Sequence, residues 1–506
     1  MLKNNITITR FVLLISATIF ILFHYPFFKF VFSNVDYKSL NGVILIISLV
    51  ILMLVVNAFM LYLIFFLSRA VGKVLLVMFF IINALAVYFV NTYGVIIDET
   101  MIGNILNTNY DESSSFFSIK LVLYVLLLGV LPSIYIIKVK IENVPAKKFL
   151  KTSSLTLLFI IVLAFANATN WLWIDKNSKR LGGLAMPWSY SVNTPLFYIH
   201  KYKKNKKEII LPNATIADNK KSVMVLVIGE SARKQNFSLY GYSKNTNPLL
   251  SKIPNVFHFD ATSSATYTTA GVKSILDHKD TGDLYEILPN YLYRNNVEVI
   301  WRTTNWGEPP VHIKDYQKRD DLKSNCAVNC DYDEVLLAGL KEQILASKKN
   351  KILIILHTST SHGPTYSKKY PAQFETFKPV CNSVELGNCS HDELINAYDN
   401  TIVYTDYILS KVIEDLKELK EYNSAMMFVS DHGESLGEKN LYMHGVPLSI
   451  APKEQYEIPF IVWISDSSKQ LKPENNLTQH HVFHSVLHFL NIKSPVYDEQ
   501  MNIFKN

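Results

Sequence analysis

Residues 424–437 read Ser424-Ala-Met-Met-Phe-Val-Ser-Asp-His-Gly-Glu-Ser-Leu-Gly437. A short run of apolar and β-favouring residues, 426–429, passes without a break into Asp431, His432 and Glu434. Such a run bounded by polar residues is the pattern of a buried strand. The chemistry at its carboxyl end is that of metal ligands. In open α/β sheets ligands bind beyond the carboxyl ends of the strands, so the stretch predicts both a fold and the place of its site.

Two further runs repeat the arrangement. Residues 223–228 end in Gly229-Glu230-Ser231, and 352–356 end in His357 followed by Ser361-His362-Gly363-Pro364. Other strand-like runs lie at 297–301 and 460–464. Helical patterns fall between them, at about 271–276, 332–347, 393–419 and 479–490. The alternation predicts an α/β domain with a mainly parallel central sheet over residues 221–506. Glu230, Asp431 and His432 should converge there as two carboxylates and an imidazole. That set suits zinc and leaves a coordination position for a nucleophile or a substrate oxygen.

The nucleophile is expected in Thr262-Ser-Ser-Ala-Thr-Tyr-Thr-Thr-Ala270, just before a helical stretch. A hydroxyl at a helix N-terminus faces backbone N–H groups and the positive end of the dipole, a setting that suits a phosphorylated residue. Chemistry alone leaves Thr266, Thr268 and Thr269 open. His357, His362 and His444 are candidates for holding a second metal, binding phosphate oxygens or protonating a leaving group.

The first third is unlike the rest. The chain has 506 residues and is 18% charged, yet its mean hydropathy is +0.14. The average conceals an apolar part with runs at 11–27, 42–67, 71–96, 119–137 and 149–171, each near or above the ~20 residues that cross a hydrocarbon core. A cleaved leader would account for the first run alone. Lys3, Arg10, Arg69 and Lys73, and the Lys138–Lys151 cluster, fall on one side of these spans, which should be cytoplasmic. The loop 97–118 is acidic and without Lys or Arg, as an outer loop should be. Five spans from a cytoplasmic N-terminus place residues after 172 outside the cytoplasm. Residues 173–220 read as an interfacial connector, with Trp171, Trp173 and Trp188 as anchors.

The net charge of +7 is explained by basic membrane edges. No arginine-rich tract supports nucleic-acid binding. The four cysteines, Cys326, Cys330, Cys381 and Cys389, form a C-x3-C and a C-x7-C pair. Their spacing fits structural zinc poorly, and an oxidising compartment favours two short disulfides.

Assembled, these residues resemble the phosphoethanolamine transferases of Gram-negative bacteria, the EptA-like group that includes the mobile colistin-resistance enzymes, within the alkaline phosphatase and sulfatase superfamily. The resemblance is carried by Ile228-Gly-Glu-Ser-Ala-Arg233, Gly241-Tyr242, His362-Gly-Pro364, Asn396-Ala-Tyr-Asp-Asn400, Ser430–Gly437, His444-Gly445 and Ala451-Pro-Lys-Glu-Gln455. It implies a zinc site of Glu230, Thr268, Asp431 and His432, with Thr268 the nucleophile. It implies that His357, His362 and His444 serve the head-group phosphate or a second zinc. It implies donor-lipid binding by Asn104, Thr108 and Glu112 in the periplasmic loop, and disulfides at the cysteine pairs.

The expected reaction moves phosphoethanolamine from phosphatidylethanolamine to lipid A, lipooligosaccharide core or a related envelope acceptor, through phospho-threonine, at the Gram-negative inner membrane. Residues 302–307, Arg-Thr-Thr-Asn-Trp-Gly, depart from the pattern of the lipid A enzymes and leave the acceptor open. The alternative within the superfamily is a phosphoglycerol transferase acting on an envelope glycan. A sulfatase would need a Cys or Ser convertible to formylglycine, which the nucleophile segment lacks.

Overall fold

The computed structural model describes residues 5–108, 110–167, 170–204, 208–384, 386–466, 470–472 and 476–505, with the backbone alone at 5, 110–112, 172, 200–204 and 440. By its contacts the chain divides into two units, Met1–Leu106 with Phe117–Ile199, and Asn107–Phe116 with His200–Asn506.

Among the described residues of the first unit, four helices are long and apolar enough to cross a membrane: Leu40–Leu67, Arg69–Tyr93, Ile119–Lys138 and Ala146–Ala166. Ser39 and Ser68 cap the starts of the first two by accepting from backbone N–H groups, and Gly94, left-handed at φ 73°, stops the second. The expected span at 11–27 is a bent pair of helices, Ile8–Phe23 and Tyr25–Asn34, which meet at 65° and together are long and apolar enough to count as a fifth. Pro26 stands in the first turn of the second helix. Its ring has no N–H and clashes with the preceding turn, so a helix restarts there more readily than it continues. The run expected to end at 171 stops at Ala166.

Trp171–Leu184 and Trp188–Lys204 are helices of their own. The tryptophans read as interfacial anchors donate within the protein, Trp173 to the Asn34 carbonyl at 3.2 Å and Trp188 to Asn57 Oδ1 at 2.7 Å.

The second unit is built on eight strands: β1 Ser222–Gly229, β2 Val256–Thr262, β3 Glu298–Thr303, β4 Asp315–Lys318, β5 Lys351–His357, β6 Asn423–Ser430, β7 Glu457–Ile464 and β8 Leu477–Thr478. Their spatial order is β8-β2-β7-β6-β1-β5-β3-β4. Only β7 runs against the others. β1 and β5 are buried at every position, which is why they read as continuous apolar runs rather than alternating ones.

One face of the sheet, through Met224, Leu226, Ile228, Met427 and Val429, packs on Val272 and Ile275 of the helix Thr268–Leu276 and on Phe483 and Val486 of the helix His481–Phe489. The long helix His391–Glu418 contacts β6 outside that cluster and so covers the opposite face. Its start is fixed by a capping box between Ser390 and Glu393. The helical pattern at 332–347 resolves into two short pieces, Asp333–Leu337 and Leu340–Ala346, parted by left-handed Gly339. Cys326–Cys330 and Cys381–Cys389 are disulfides.

Candidate active site

Strand register assembles the site. β1 and β6 are parallel neighbours with Gly229 opposite Ser430, so the next residues, Glu230 and Asp431, leave the sheet side by side. On the other flank of β1, Ile228 pairs with His357. The helix Thr268–Leu276 must come very close to this corner. A Cβ on Gly271 would lie 2.1 Å from the Asp431 carbonyl oxygen, so only glycine lets that helix seat its first residue, Thr268, over the cluster.

One donor atom each of Glu230, Asp431 and His432 lies within 4.8 Å of the others, and all three residues are buried. His432 Nε2 is 3.4 Å from Glu230 Oε1 and 3.4 Å from Asp431 Oδ2. Thr268 Oγ1 is 3.3 Å from that same Nε2 and 3.4 Å from Glu230 Oε2. The ring is oriented from behind, where His432 Nδ1 lies 2.8 Å from the Gly433 carbonyl oxygen. A carbonyl only accepts, so Nδ1 carries the hydrogen and Nε2 is turned to the cluster.

The carboxylates are held unequally. Asp431 Oδ1 accepts from the Ser231 and His432 backbone N–H groups at 3.0 and 2.7 Å. Glu230 accepts from Ser231 Oγ and from Asn305 Nδ2, each at 2.7 Å. Asp431 Oδ2 is buried and receives no hydrogen bond, a costly arrangement for a carboxylate unless a cation faces it. Two carboxylates, one imidazole nitrogen and a hydroxyl around this orphaned oxygen fit a divalent metal.

The electrostatics agree. Burial pushes the Asp431 carboxyl up to about 7, and the neighbouring Glu230 charge acts in the same direction. Burial opposes charge on His432, yet Asp431 and Glu230 override it and raise the imidazole to about 10. Burial also opposes charge on Glu230, but His432 holds it well below the usual carboxylate range. The cluster therefore demands a positive charge.

The other predicted residues divide. The His444 ring centre is 4.3 Å from that of His432 and 5.4 Å from that of His362, and His444 Nδ1 is 3.4 Å from buried Glu434 Oε1. These histidines form a second arc beside the triad. His357 is buried, edge-on to Trp301, with Nδ1 3.6 Å from Glu308 Oε2, and is near enough to act on the Asp431 carboxyl. Asn104 lies on the helix Glu99–Asn107 in the first unit, and Thr108 belongs by contacts to the second. The Glu112 side chain lies outside the described residues.

Several contributors escape a reading from sequence. Asn305, which also donates to the Thr358 carbonyl at 2.9 Å, follows the end of β3 and could have been found by the same strand-end rule. Gln479 donates to the Ser430 and Asp431 carbonyls at 3.0 and 2.7 Å, and its Oε1 accepts from Ser264 N–H at 3.1 Å. It ties the nucleophile loop to β6, and nothing in its sequence setting signals this. The quoted motifs that carry no chemistry prove to be scaffolding. The Tyr398 hydroxyl accepts from Arg233 N–H at 2.9 Å and donates to the Ser231 carbonyl at 2.7 Å. Asp399 accepts from Asn236, Tyr242 and Lys244 at 2.6, 2.9 and 2.8 Å.

With this geometry in view, the chain is similar along almost its whole length to EptA, the phosphoethanolamine transferase of Helicobacter pylori. The two are 41% identical over 98% of this chain and 96% of the relative. The chain belongs to the phosphoethanolamine transferase family. Two family models divide the chain much as its contacts do. The phosphoethanolamine transferase EptA/EptB model matches residues 53–202 and the sulfatase model residues 222–492.

Among solved structures, the integral membrane lipooligosaccharide phosphoethanolamine transferase A of Neisseria meningitidis superposes with a TM-score of 0.90 over 99% of both chains, at 26% identity. The C-terminal periplasmic domain of EptC from Campylobacter jejuni matches 58% of this chain and 97% of its own, at 36% identity and a TM-score of 0.53. A helical membrane-type region followed by a sulfatase-type sheet domain is thus the family's architecture, and the protein is an enzyme of that family.

Proposed function

We propose that the enzyme transfers phosphoethanolamine from phosphatidylethanolamine to lipid A or a related envelope acceptor, with Thr268 as the nucleophile. The observation that carries this reading is the placement of the Thr268 hydroxyl. It tops a helix N-terminus and lies 3.3 Å from His432 Nε2 and 3.4 Å from Glu230 Oε2, in a chain 41% identical to a named phosphoethanolamine transferase.

Zinc would be held by Glu230, Asp431, His432 and the Thr268 oxygen, where it lowers the pKa of the hydroxyl and draws charge from the phosphoryl oxygens. In the first step the Thr268 proton leaves toward a basic neighbour and Oγ1 bonds to phosphorus. The phosphorus–glycerol oxygen bond breaks, and diacylglycerol departs with a proton. His444 and His362 stand next to the cluster and supply N–H donors for phosphoryl oxygens or that proton. In the second step an acceptor oxygen bonds to phosphorus, the P–Oγ1 bond breaks, and its electron pair returns to Thr268, which regains a proton. Free N–H groups at the start of the helix favour the charged phospho-threonine between the steps. Asn104, Thr108 and Glu112 are the proposed contacts to the donor head group.

The lysine and arginine distribution supports a cytoplasmic N-terminus and a catalytic unit on the periplasmic face of a Gram-negative inner membrane. The two disulfides suit that oxidising side.

The deciding experiment incubates the full chain in detergent with fluorescent phosphatidylethanolamine, as wild type and as Thr268→Ala. Diacylglycerol release and a phosphoethanolamine mass adduct are expected in the first and neither in the second. An adduct that survives the substitution moves the nucleophile to Thr266 or Thr269. Release from phosphatidylglycerol alone overturns the donor.

A further inference from the structure

A cavity of about 530 Å³ adjoins the catalytic cluster on the β5–β3 side. It shares Asn305 and His362 with the site, and its other walls include Arg319, Lys368 and Lys369. Its two carboxylates are already engaged. Asp333 accepts from Thr304 Oγ1, Thr360 Oγ1 and both the N–H and Oγ of Ser359. Asp331 is paired with Lys323 at 3.0 Å.

Two of the cations, Arg319 and Lys368, are not so engaged. Arg319 Nε is buried without a hydrogen-bond partner. Among the described residues, neither the Arg319 guanidinium nor the Lys368 ammonium makes a side-chain hydrogen bond or ion pair. A cavity that continues the active site and offers a guanidinium fork beside an ammonium is complementary to a phosphate.

We infer that Arg319 and Lys368 form the subsite that holds a phosphate group of the acceptor. This rests on the two-step reading above. The donor's own phosphorus must lie against Thr268 and the carboxylate–imidazole cluster, so its phosphate is committed there. A second anion subsite on the flank of the same site serves the second substrate. The acceptor class follows: an amphiphile bearing a phosphate monoester rather than a neutral glycan.

The test separates the two half-reactions of the full-length enzyme in detergent. Diacylglycerol release from fluorescent phosphatidylethanolamine is measured first, without acceptor. Transfer is then measured to lipid A carrying its phosphates and to the same lipid A after enzymatic dephosphorylation. For Arg319→Ala and Lys368→Ala we expect the half-saturating concentration of phosphorylated lipid A to rise about tenfold each. Diacylglycerol release should stay within about twofold of wild type, which also shows that the variants are folded. Arg319→Lys should recover part of the loss, since charge is kept and the fork is not. Dephosphorylated lipid A should be a poor acceptor for wild type and indifferent to the substitutions.

Unchanged transfer in both variants overturns the subsite. A fall in diacylglycerol release that matches the fall in transfer assigns the cations to the donor and overturns it as well. Wild-type enzyme that releases no diacylglycerol overturns the parent reading, and this one with it.

Discussion

At the scale of single residues, the site buries three ionisable side chains together and leaves one carboxylate oxygen, Asp431 Oδ2, without a donor. Replacing that oxygen by an amide changes little in volume and removes a charge the metal needs. Asp431→Asn is therefore expected to lower bound zinc, read by elemental analysis of the purified protein, by at least ~10-fold. Activity should fall by ~100-fold or more. Full zinc occupancy in the variant would count against Asp431 as a ligand.

A second residue, outside the catalytic cluster, gives a pH signature of its own. Asp406, on the long helix, accepts from the Leu249 and Leu250 backbone N–H groups at 2.8 and 3.1 Å. Burial nonetheless pushes its carboxyl up to about 6. A raised carboxyl binds protons more readily in the folded than in the unfolded chain, so its contribution to stability is present at low pH. That contribution is lost as pH climbs from ~3.9 through about 6, by roughly 3 kcal/mol in all. Melting of wild type and Asp406→Asn at pH 4.5 and pH 7 should show the advantage of wild type shrinking upward across this window. A constant difference would contradict the assignment.

At the scale of elements, the catalytic corner depends on how closely the helix Thr268–Leu276 approaches β6. Gly271→Ala would press a methyl group into the Asp431 backbone, and backbone on both sides cannot yield. We expect a loss of about 1–3 kcal/mol of stability, read as a lowered Tm. Activity should fall further than Tm implies, because the displaced residue is Thr268. Activity equal to wild type would mean the helix tolerates a shift that the geometry denies.

The same elements show what the sequence could disclose. β1, β5 and β6 were legible because strands buried on both faces are written as unbroken apolar runs, and their metal-competent ends followed directly. β2, with exposed or half-buried residues at most positions, and the short β4 and β8 carry no such run. The bend at His24 was hidden because a hydropathy run does not register where Pro26 withholds an N–H. Glu230, Asp431, His432 and the 262–270 segment could be read as a group. Asn305 stands just past the end of β3, where the same strand-end rule applies, but Gln479 could not be read, since a neutral amide in a loop becomes informative only when its partners are known.

At the scale of the whole molecule, the proposed function gives the two units separable tasks, presentation of a lipid and chemistry on its head group. A chain of residues 208–506 alone should fold, as the separately solved periplasmic domain of the Campylobacter jejuni relative suggests. It should bind zinc and release nitrophenol from a soluble nitrophenyl phosphodiester. Turnover of phosphatidylethanolamine in detergent should fall by at least ~100-fold relative to the full chain, because the membrane unit no longer holds lipid at a high effective concentration. Equal lipid turnover by the fragment would show that the membrane unit contributes nothing beyond anchorage.

One further consequence comes from the reversed strand β7. Because it runs against its neighbours, the residues leading into it arrive at the catalytic rim, where the Gln455 and Glu454 carbonyls accept from Gly433 and Glu434 N–H at 2.9 and 2.8 Å. With Gln479 beside them, that flank is filled with backbone, while the cavity opens on the opposite one. In the proposed reaction, a glyceride leaving through that cavity must clear it before the next substrate can step in. Double-reciprocal plots at several donor concentrations should accordingly be parallel lines, and added diacylglycerol should compete with the incoming acceptor.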